Sequence, residues 1–485
     1  MISSTFKKYL AIISIFVLPL ILANQYYIDD IGRASVGYTK WGVDGRPVAD
    51  MLMSLLNMST RMVDIAPLPL LLSVALLSIS LSLYRKYFIG SDKWGVLVPL
   101  AFIANPAIIS LFSYRFDVFT FSFAITAAFF IFTLRIRNIF IDVIIGSVFV
   151  IAVMGTYQAV INIVAILIIC EIVKNISTLI VPLDVIKRTA IRLAQVIIGG
   201  IIYAKVILPI TFIGEHSTNH PGVSENIFST IKYNAESYYN FAADNFYRSN
   251  GEYILCISSA LCVILTGVII FSYLKRFRGS ILAWVVAGGA ILASALSMPM
   301  TMGALLLLEK PLGGVHLYMG ASGFYLLLAT LLYYASAKIK ALLVLVCVPV
   351  LYTFLLIYAY GNALQAQEKT NTAVMSEIQQ AISNSNLDVD SVIFKGDPPR
   401  SDIVKNASLN YPILKYTVID YFWNWYWGSA YLEMHGIKQK FMPQNKSKDL
   451  LLNICNYVVI YKGRYITAHS SDGVLMIDFK KNRCN

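Results

Sequence analysis

The sequence is poor in charged residues, and this scarcity excludes an ordinary soluble domain. Asp, Glu, Lys and Arg make up 14% of the 485 residues, whereas hydrophobic residues make up 57%. Soluble globular proteins carry about a quarter charged residues and are nearer half apolar. Acidic side chains are the scarcer kind, with 27 Asp and Glu against 39 Lys and Arg. The composition therefore indicates a chain that is largely embedded in lipid.

Several motifs of common enzyme classes are also missing. The chain has no Walker A loop, no G-x-G-x-x-G after a predicted strand, no H-E-x-x-H and no C-x-x-C. ATP-driven transport and a structural zinc site therefore have no support in the sequence.

Apolar runs recur through the first three quarters of the chain. A helix needs roughly 17–25 apolar residues to cross the ~30 Å hydrocarbon core, and only helices or closed barrels satisfy the backbone in lipid. The ~10-residue alternation of barrel strands is not seen. We therefore predict a polytopic α-helical membrane protein with about eleven transmembrane helices. The predicted spans are about 9–25, 65–84, 94–112, 117–134, 138–154, 156–173, 193–213, 253–273, 280–300, 318–335 and 341–360.

The net charge of +12 reflects membrane topology and predicts no nucleic-acid partner. Lys and Arg lie in short clusters between alternate apolar runs, as at Lys7-Lys8, Arg85-Lys86 and Lys275-Arg276. This is the positive-inside pattern of cytoplasmic loops. It predicts a cytoplasmic N-terminus, and an odd number of spans then places residues 361–485 outside. The first span could also be a signal peptide, and the orientation of the rest would not change.

Two outer loops, about 26–64 and 214–252, are too long to be simple connections. The first contains an amphipathic segment after Pro47, which is typical of a helix lying on the membrane surface. The tail after Gly361 loses the transmembrane pattern and mixes a helical segment with predicted strands. We therefore predict a transmembrane region, 1–360, and a small outer α+β domain, 361–485.

Two features of the tail leave alternatives open. Cys455 and Cys484 lie where a disulfide is permitted, but two free thiols are equally compatible with the sequence. The run YFWNWYWG, Tyr421 to Gly428, holds six aromatic side chains in eight residues. An interfacial belt or a domain core is typical of such a run, and a platform on which a sugar stacks is the functional alternative.

Polar residues gather at the outer ends of the predicted spans. The stretch YYIDDIGRASVGYTKWGVDGRP places Asp29 and Asp30 directly after the first span. SYRFD joins spans three and four, GTYQ joins five and six, EHSTNH follows span seven, and EKPLGGVHLY precedes span ten. Each group alone could be a turn, a solvated loop or an interface anchor. Charges at a membrane edge are costly unless they serve a site, so their shared side favours a function.

This set of residues suits the transfer of a sugar from a lipid phosphate to a hydroxyl. The phosphate leaves without a general acid, and Arg side chains stabilise its charge by binding two of its oxygens. The acceptor hydroxyl must lose a proton, for which one positioned carboxylate suffices. The transition state resembles an oxocarbenium ion. Adjacent acids point in different directions, so only one of Asp29 and Asp30 is expected to be the base.

The ordered set DDIGR…G…W…GRP, SYRFD and YQAVIN resembles the Gtr-type O-antigen glucosyltransferases, the serotype-converting enzymes of temperate phages and Gram-negative bacteria. The layout, with its large first outer loop, is similar to that of GT-C glycosyltransferases in general. The resemblance covers spans one to six well, and the later half only by architecture.

The resemblance implies an inverting GT-C-type glucosyltransferase of the bacterial inner membrane. It would take glucose from undecaprenyl-phosphate-glucose on the periplasmic side and attach it to a sugar of lipid-linked O-antigen. A first-loop acid is the usual base of GT-C enzymes, which here implies Asp30, nearer Arg33, and Asp29 as the second choice. Some GT-C enzymes use a divalent cation such as Mg or Mn, and the sequence leaves metal dependence open, with Asp29 and Asp44 as candidate ligands.

The resemblance also implies roles for further residues of the outer loops. The cations expected to bind the donor phosphate are Arg33, Arg46, Arg115 and Lys310. The residues expected to contact donor or acceptor sugar are Trp41, Asp44, Tyr114, Asp117, Tyr157, Gln158, His220 and His316.

Two other functions stay open at this point. A non-enzymatic transporter or flippase for a lipid-linked sugar would need functional charges within the spans, where only Lys205 fits. An O-antigen polymerase, or a transferase for another polyprenyl-phosphate sugar, would share the same loop chemistry. The sequence identifies neither the acceptor sugar and linkage nor the oligomeric state.

Overall fold

Long apolar helices dominate the computed structural model, which describes residues 4–134, 136–213, 220–336, 339–385, 389–442 and 444–480. Of the predicted motif EHSTNH only His220 is described. The α-helices of the first half are α1 (Ser4–Ala23), α2 (Asp30–Val36), α3 (Pro47–Asn57), α4 (Leu68–Tyr84), α5 (Ile108–Ser113), α6 (Asp117–Thr133), α7 (Ile139–Thr156), α8 (Ile161–Ser177), α9 (Pro182–Ile202) and α10 (Leu208–Thr211).

The second half contains a further group of helices and a small sheet. Its helices are α11 (Ile227–Phe246), α12 (Gly251–Arg276), α13 (Ile281–Ala295), α14 (Ser297–Met300), α15 (Gly320–Ala335), α16 (Cys347–Ser385), α17 (Asp402–Asn410), α18 (Leu414–Thr417), α19 (Tyr426–Met434) and α20 (Gln444–Leu452). The strands are β1 (Ser391–Lys395), β2 (Val458–Lys462), β3 (Thr467–Ser471) and β4 (Val474–Asp478).

Short 3₁₀ and π segments extend or join these helices. They are Arg85–Ile89, Trp94–Val96, Val98–Ala104, Gln158–Val160, Tyr203–Ile207, Arg248–Asn250, Gly303–Leu307, Val315–Met319, Lys340–Val346 and Ile454–Asn456.

Eight helical segments in the described ranges are long and apolar enough to cross a membrane. They are Ser4–Ala23, Leu68–Ile89, Ile139–Thr156, Gln158–Ser177, Pro182–Thr211, Arg248–Arg276, Val315–Ala335 and Lys340–Asn384. Three shorter apolar helices, Trp94–Ala104, Asp117–Thr133 and Ile281–Ala295, coincide with the other predicted spans. The prediction of a polytopic helical membrane protein is confirmed, whereas the number of helices that cross stays a prediction.

The third predicted span is broken in two. The 3₁₀ segment Val98–Ala104 ends at Asn105, and α5 begins at Ile108. Pro106 disfavours a helical conformation at the preceding residue, Asn105. The side chain of Asn105 donates a hydrogen bond to the Tyr318 carbonyl at 2.9 Å. This break brings the end of α5 and the turn after it towards the segment Val315–Met319.

The helix α16 connects the membrane region to the tail. Its 39 residues correspond to a length of roughly 58 Å at about 1.5 Å per residue. Gly361 packs against α1 so closely that an added Cβ would lie 2.7 Å from the Cβ of Pro19. The helix therefore passes the predicted boundary at residue 360 without a break, and the division into 1–360 and 361–485 stays a prediction.

The tail contains a small sheet and several short helices, in agreement with the strands and helix predicted there. The strand order is β1-β4-β3-β2, in which β1 and β4 are parallel and the other neighbours antiparallel. One core unites apolar residues of the sheet with Val374 and Ile378 of α16, and it also includes Ile31 of α2. Cys455 is disulfide-bonded, but Cys484 lies outside the described residues, so their pairing stays a prediction.

Candidate active site

A buried arginine lies at the centre of the polar residues that follow α1. Arg33, which is 4% exposed, pairs with Asp29 at 3.5 Å and with Asp117 at 3.4 Å. Its guanidinium carbon lies 4.1 Å from the ring centroid of Trp41, and Trp41 donates its indole N–H to Asp117 at 2.5 Å. These four residues are called the Arg33 cluster below.

Local helix geometry explains how the Arg33 cluster forms. Asp29 immediately precedes α2 and lies one helical turn before Arg33, and side chains four positions apart are neighbours on a helix. Asp117 is the first residue of α6, where a helix N-terminus favours an acid. Burial alone lowers the pKa of Arg33, but Asp117 and Asp29 together raise that pKa above its ordinary value. The guanidinium therefore stays charged and holds the two acids in place.

Asp30 is fully buried and binds backbone. Its carboxylate accepts N–H groups from Tyr27 at 3.1 Å, Arg115 at 2.9 Å and Phe116 at 3.4 Å. These bonds attach α2 to the turn between α5 and α6. Burial raises the pKa of Asp30 to about 8, although the backbone N–H groups oppose that rise. Its 0% exposure leaves no surface for an acceptor, so the base role stays a prediction that this geometry does not favour.

Asp29 lies at the surface of the Arg33 cluster. Its side chain is 39% exposed. One carboxylate oxygen faces Arg33, and the other accepts the indole N–H of Trp427 at 2.8 Å. Of the two adjacent acids, Asp29 is therefore the one that a substrate hydroxyl can reach.

Arg115 belongs to a second group beside the Arg33 cluster. Its guanidinium pairs with Asp64 at 3.1 Å and donates to the side chain of Asn24 at 2.9 Å. It also lies 4.5 Å from the ring centroid of Tyr26, whose hydroxyl donates to Asp64. A cavity beside this group is lined by the C-terminal ends of α1 and α5, the start of α4 and the middle of α16.

Three rings and a cation form a third group. His316 Nδ1 lies 3.3 Å from the Tyr114 hydroxyl, and the His316 and Tyr157 ring centroids are 6.4 Å apart. Arg46 lies 5.2 Å from the Tyr157 ring centroid. Within the described ranges, the buried hydroxyl of Tyr157 and the buried Nε of Arg46 have no hydrogen-bond partner. Buried polar atoms normally have a hydrogen-bond partner. The absence of a protein partner leaves these two atoms available to a polar ligand.

Gln158 and Asp44 connect the loops around this third group. The Gln158 side chain donates to the Asp44 carbonyl at 3.2 Å and to the Tyr203 hydroxyl at 2.9 Å. The same Tyr203 hydroxyl donates to the carbonyl of Gly45 at 2.8 Å. The Gln158 amide is thus occupied by backbone and tyrosine contacts in this structure.

Other predicted residues lie apart from these groups. Lys310 is exposed, and it forms no ion pair with any residue the structure describes. His220 is also exposed, with its ring 5.8 Å from that of Phe212. Lys205 is exposed on the segment Tyr203–Ile207. The roles predicted for Lys310 and His220 stay predictions without a geometric link to the Arg33 cluster.

Several site residues were not predicted from the sequence. Asn24, Tyr26 and Asp64 hold Arg115, and Trp427 reaches Asp29 from the tail. The density of aromatic residues in 421–428 was the available signal for Trp427. Asn24 and Tyr26 carry no pattern that distinguishes them from other residues at the end of a span.

The described residues contain no cluster of protein side chains that could hold a divalent cation alone. No three His, Cys, Asp or Glu side chains in these ranges lie close enough together to hold a metal ion. Asp29, a predicted ligand, is positioned by the cation of Arg33. Metal dependence stays a prediction, and the chemistry proposed below is derived from the side chains alone.

The apolar helices define a polytopic membrane protein. The charged and aromatic residues gathered at its long first loop are of the kinds found in active sites. The family model described as "Glucosyl transferase GtrII" matches residues 18–327, more than half of the chain. The chain belongs to this glucosyltransferase family, and the predicted Gtr-type resemblance is confirmed.

One curated relative spans nearly the whole chain. It is described as "Uncharacterized 55.3 kDa protein in gtrB 5'region" of Salmonella phage P22. It is 25% identical over 453 residues, which cover 91% of this chain and 92% of the phage protein. No solved structure matches the chain.

Proposed function

We propose that the protein transfers glucose from undecaprenyl-phosphate-glucose to a sugar of lipid-linked O-antigen, at the periplasmic face of the bacterial inner membrane. The observation that carries this proposal is the half-exposed Asp29 at the edge of the buried Arg33 cluster, in a chain of the glucosyltransferase family. The positive-inside pattern supports a periplasmic location for this loop.

In the proposed reaction Asp29 is the general base. It accepts the proton of the acceptor hydroxyl while that oxygen attacks the anomeric carbon of glucose. The bond between this carbon and the phosphate oxygen breaks, and the electron pair leaves with undecaprenyl phosphate. Attack from the face opposite the phosphate inverts the anomeric centre. We assign this role to Asp29 rather than to the buried Asp30, which positions the Arg115 turn.

The donor phosphate is proposed to bind at Arg46 and Tyr157. The free Nε of Arg46 and the free hydroxyl of Tyr157 are donors that point at no protein partner in the described ranges. Donors placed in advance stabilise the charge that develops on the leaving phosphate. Arg115 is already engaged by Asp64 and Asn24, so we place it at the margin of the phosphate site.

Substitution of Arg46 by Gln should therefore raise the KM for the donor by roughly 10- to 100-fold, because a hydrogen bond to a charged group contributes about 1.5–3 kcal/mol. Steady-state kinetics with purified protein and a varied donor concentration measure this change. Arg61→Gln, at an exposed arginine of the same loop, is the matched control and should behave like wild type. An unchanged donor KM in Arg46→Gln would remove Arg46 from the phosphate site.

An apolar cavity next to this site suits the isoprenoid chain of the donor. Its volume is about 370 Å³, and it is lined by Tyr238, Ala242, Phe246 and Tyr318, among others. Ligand sites for small molecules are cavities of about 300–1,000 Å³ with mostly apolar walls. The segment Val315–Met319 links the two features, since His316 contacts Tyr114 and Tyr318 lines the cavity.

Filling this cavity should discriminate between donors of different chain length. Ala242→Phe is expected to raise the KM about tenfold or more for undecaprenyl-phosphate-glucose, because the ring occupies space proposed for the isoprenoid. The KM for a water-soluble short-chain donor should stay within about twofold of wild type, which makes this donor an internal control for folding. Equal effects on both donors would place the isoprenoid elsewhere.

The whole proposal is tested by expression in a strain of defined O-antigen, followed by mass spectrometry of the repeat unit. A gain of one hexose per repeat is the expected result. Altered chain length without added hexose would instead favour a polymerase. Asp29→Asn is the control. When this variant is expressed and inserted at the wild-type level, it should not add the hexose, which would link the added hexose to the proposed active site.

A further inference from the structure

The aromatic run of the tail packs onto the first outer loop. The Tyr421 hydroxyl donates to the carbonyl of Tyr26 and accepts the N–H of Ile28, both at 3.1 Å. Six residues later, Trp427 donates to Asp29. The run is therefore part of the surroundings of the proposed base, although it lies in the last seventh of the chain.

Three indole rings of this run form a row that ends at Asp29. The Trp423 ring centroid lies 6.3 Å from that of Trp425 and 6.2 Å from that of Trp427, with interplanar angles of 32° and 38°. Trp423 is 44% exposed and Trp425 is 50% exposed. Their indole N–H groups donate no hydrogen bond to any residue in the described ranges. The row thus presents aromatic faces and free donors to a ligand.

The row is held by specific contacts. The Asn424 side chain accepts the N–H of Phe394 at 2.8 Å and donates to the Phe394 carbonyl at 2.9 Å, which fixes the run to β1. A Cβ at Gly428 would lie 2.2 Å from the Trp423 carbonyl oxygen, so the chain turns tightly there. Exposed aromatic rings that a scaffold positions in this way are suited to recognition, because binding costs little ordering of the loop.

We propose that the row of Trp425, Trp423 and Trp427 binds the acceptor saccharide and guides its hydroxyl to Asp29. This inference rests on the proposed function and identifies the class of acceptor ligand as a glycan of several sugar units. The C–H face of a pyranose carries partial positive charge and packs against the negative face of an indole ring. Indole N–H groups can donate to sugar hydroxyls, and the row leads directly to the proposed base.

The position of the aromatic run along α16 argues against the alternative that its rings anchor the protein in the membrane. Tyr360 contacts Ser113 at the end of α5, whereas the Tyr431 ring, stacked on Tyr421 at 4.9 Å, reaches Glu368 with its hydroxyl. Eight residues of helix separate these positions, which corresponds to roughly 12 Å at about 1.5 Å per residue. The aromatic run therefore contacts α16 about two helical turns beyond the level of Ser113 at the end of α5.

Binding is tested with full-length protein in nanodiscs and lipid-free O-polysaccharide from the strain used above, by titration calorimetry. Trp423→Ala and Trp425→Ala should each weaken binding by about tenfold or more. Phe441→Ala is the matched control, because Phe441 is a tail aromatic that is also 44% exposed. In the transfer assay the two tryptophan variants should raise the KM for the acceptor by a similar factor and leave the donor KM unchanged.

The outcomes separate this inference from the proposed function. If wild type transfers glucose but the tryptophan variants keep the wild-type acceptor KM and affinity, the saccharide surface is wrong and the function stands. If wild type binds polysaccharide through these rings but adds no hexose, the proposed transfer fails and the surface stands. Quenching of Trp423 and Trp425 fluorescence by brominated acyl chains, with no response to polysaccharide, would identify membrane anchors and overturn the inference.

Discussion

Asp29→Asn is expected to lower kcat for glucose transfer by about 100- to 10,000-fold, the range that a positioned general base contributes. The amide keeps the size of the side chain, and its oxygen can still accept the indole N–H of Trp427. Folding and membrane insertion should therefore be preserved. Single-turnover transfer with saturating donor and acceptor measures the chemical step directly.

Asp30→Asn provides the contrast at the neighbouring position. The Asp30 carboxylate accepts three backbone N–H groups, and an amide would direct its own NH₂ group at one of them. We expect this variant to lose thermal stability, and its remaining folded fraction to retain more of kcat than Asp29→Asn does. The reverse order, with Asp30→Asn stable and inactive and Asp29→Asn active, would restore Asp30 as the base.

Arg33→Gln is expected to be the most destabilising single substitution in the site. Removing one partner of a buried ion pair leaves an uncompensated charge, which costs roughly 3–5 kcal/mol. Here the remaining acid is Asp117, which is almost fully buried, while Asp29 can turn to solvent. The expected result is a marked fall in the apparent melting temperature of the protein in nanodiscs, measured by intrinsic fluorescence.

A second substitution tests that explanation. In Arg33→Gln/Asp117→Asn the buried charge is removed together with its partner, so much of the lost stability should return. Catalysis should not return, because Asp29 is no longer positioned. A double variant as unstable as Arg33→Gln alone would show that the stacking of Arg33 on Trp41 matters more than its charge.

Local patterns were sufficient to predict the helical segments and part of the site. Ten of the eleven predicted spans coincide with described helices, because runs of apolar residues favour helices in lipid, whereas the third is broken at Asn105 and Pro106. The spacing of Asp29 and Arg33 follows from one turn of helix. The pairing of Arg33 with Asp117 depends on how α2 lies against α6, which no local pattern specifies.

The preference between the two adjacent acids also depended on long-range packing. Nearness to Arg33 along the chain favoured Asp30, but backbone groups of Arg115 and Phe116, far along the sequence, enclose it. The surroundings of Asp29 could not be predicted without knowing where the tail lies. The aromatic run was visible in the sequence, whereas its contact with α2 was not, because it depends on how α16 carries the tail domain.

The hydrogen bond between Trp427 and Asp29 joins positions that are 398 residues apart. During synthesis the N-terminal part of a chain folds first, so the first loop must wait for nearly the whole polypeptide before its acid acquires this partner. The last predicted span must be made, and the tail must fold, before the surroundings of Asp29 are complete. A nascent chain halted midway would thus carry the acids and the arginines of the site without the aromatic wall beside them.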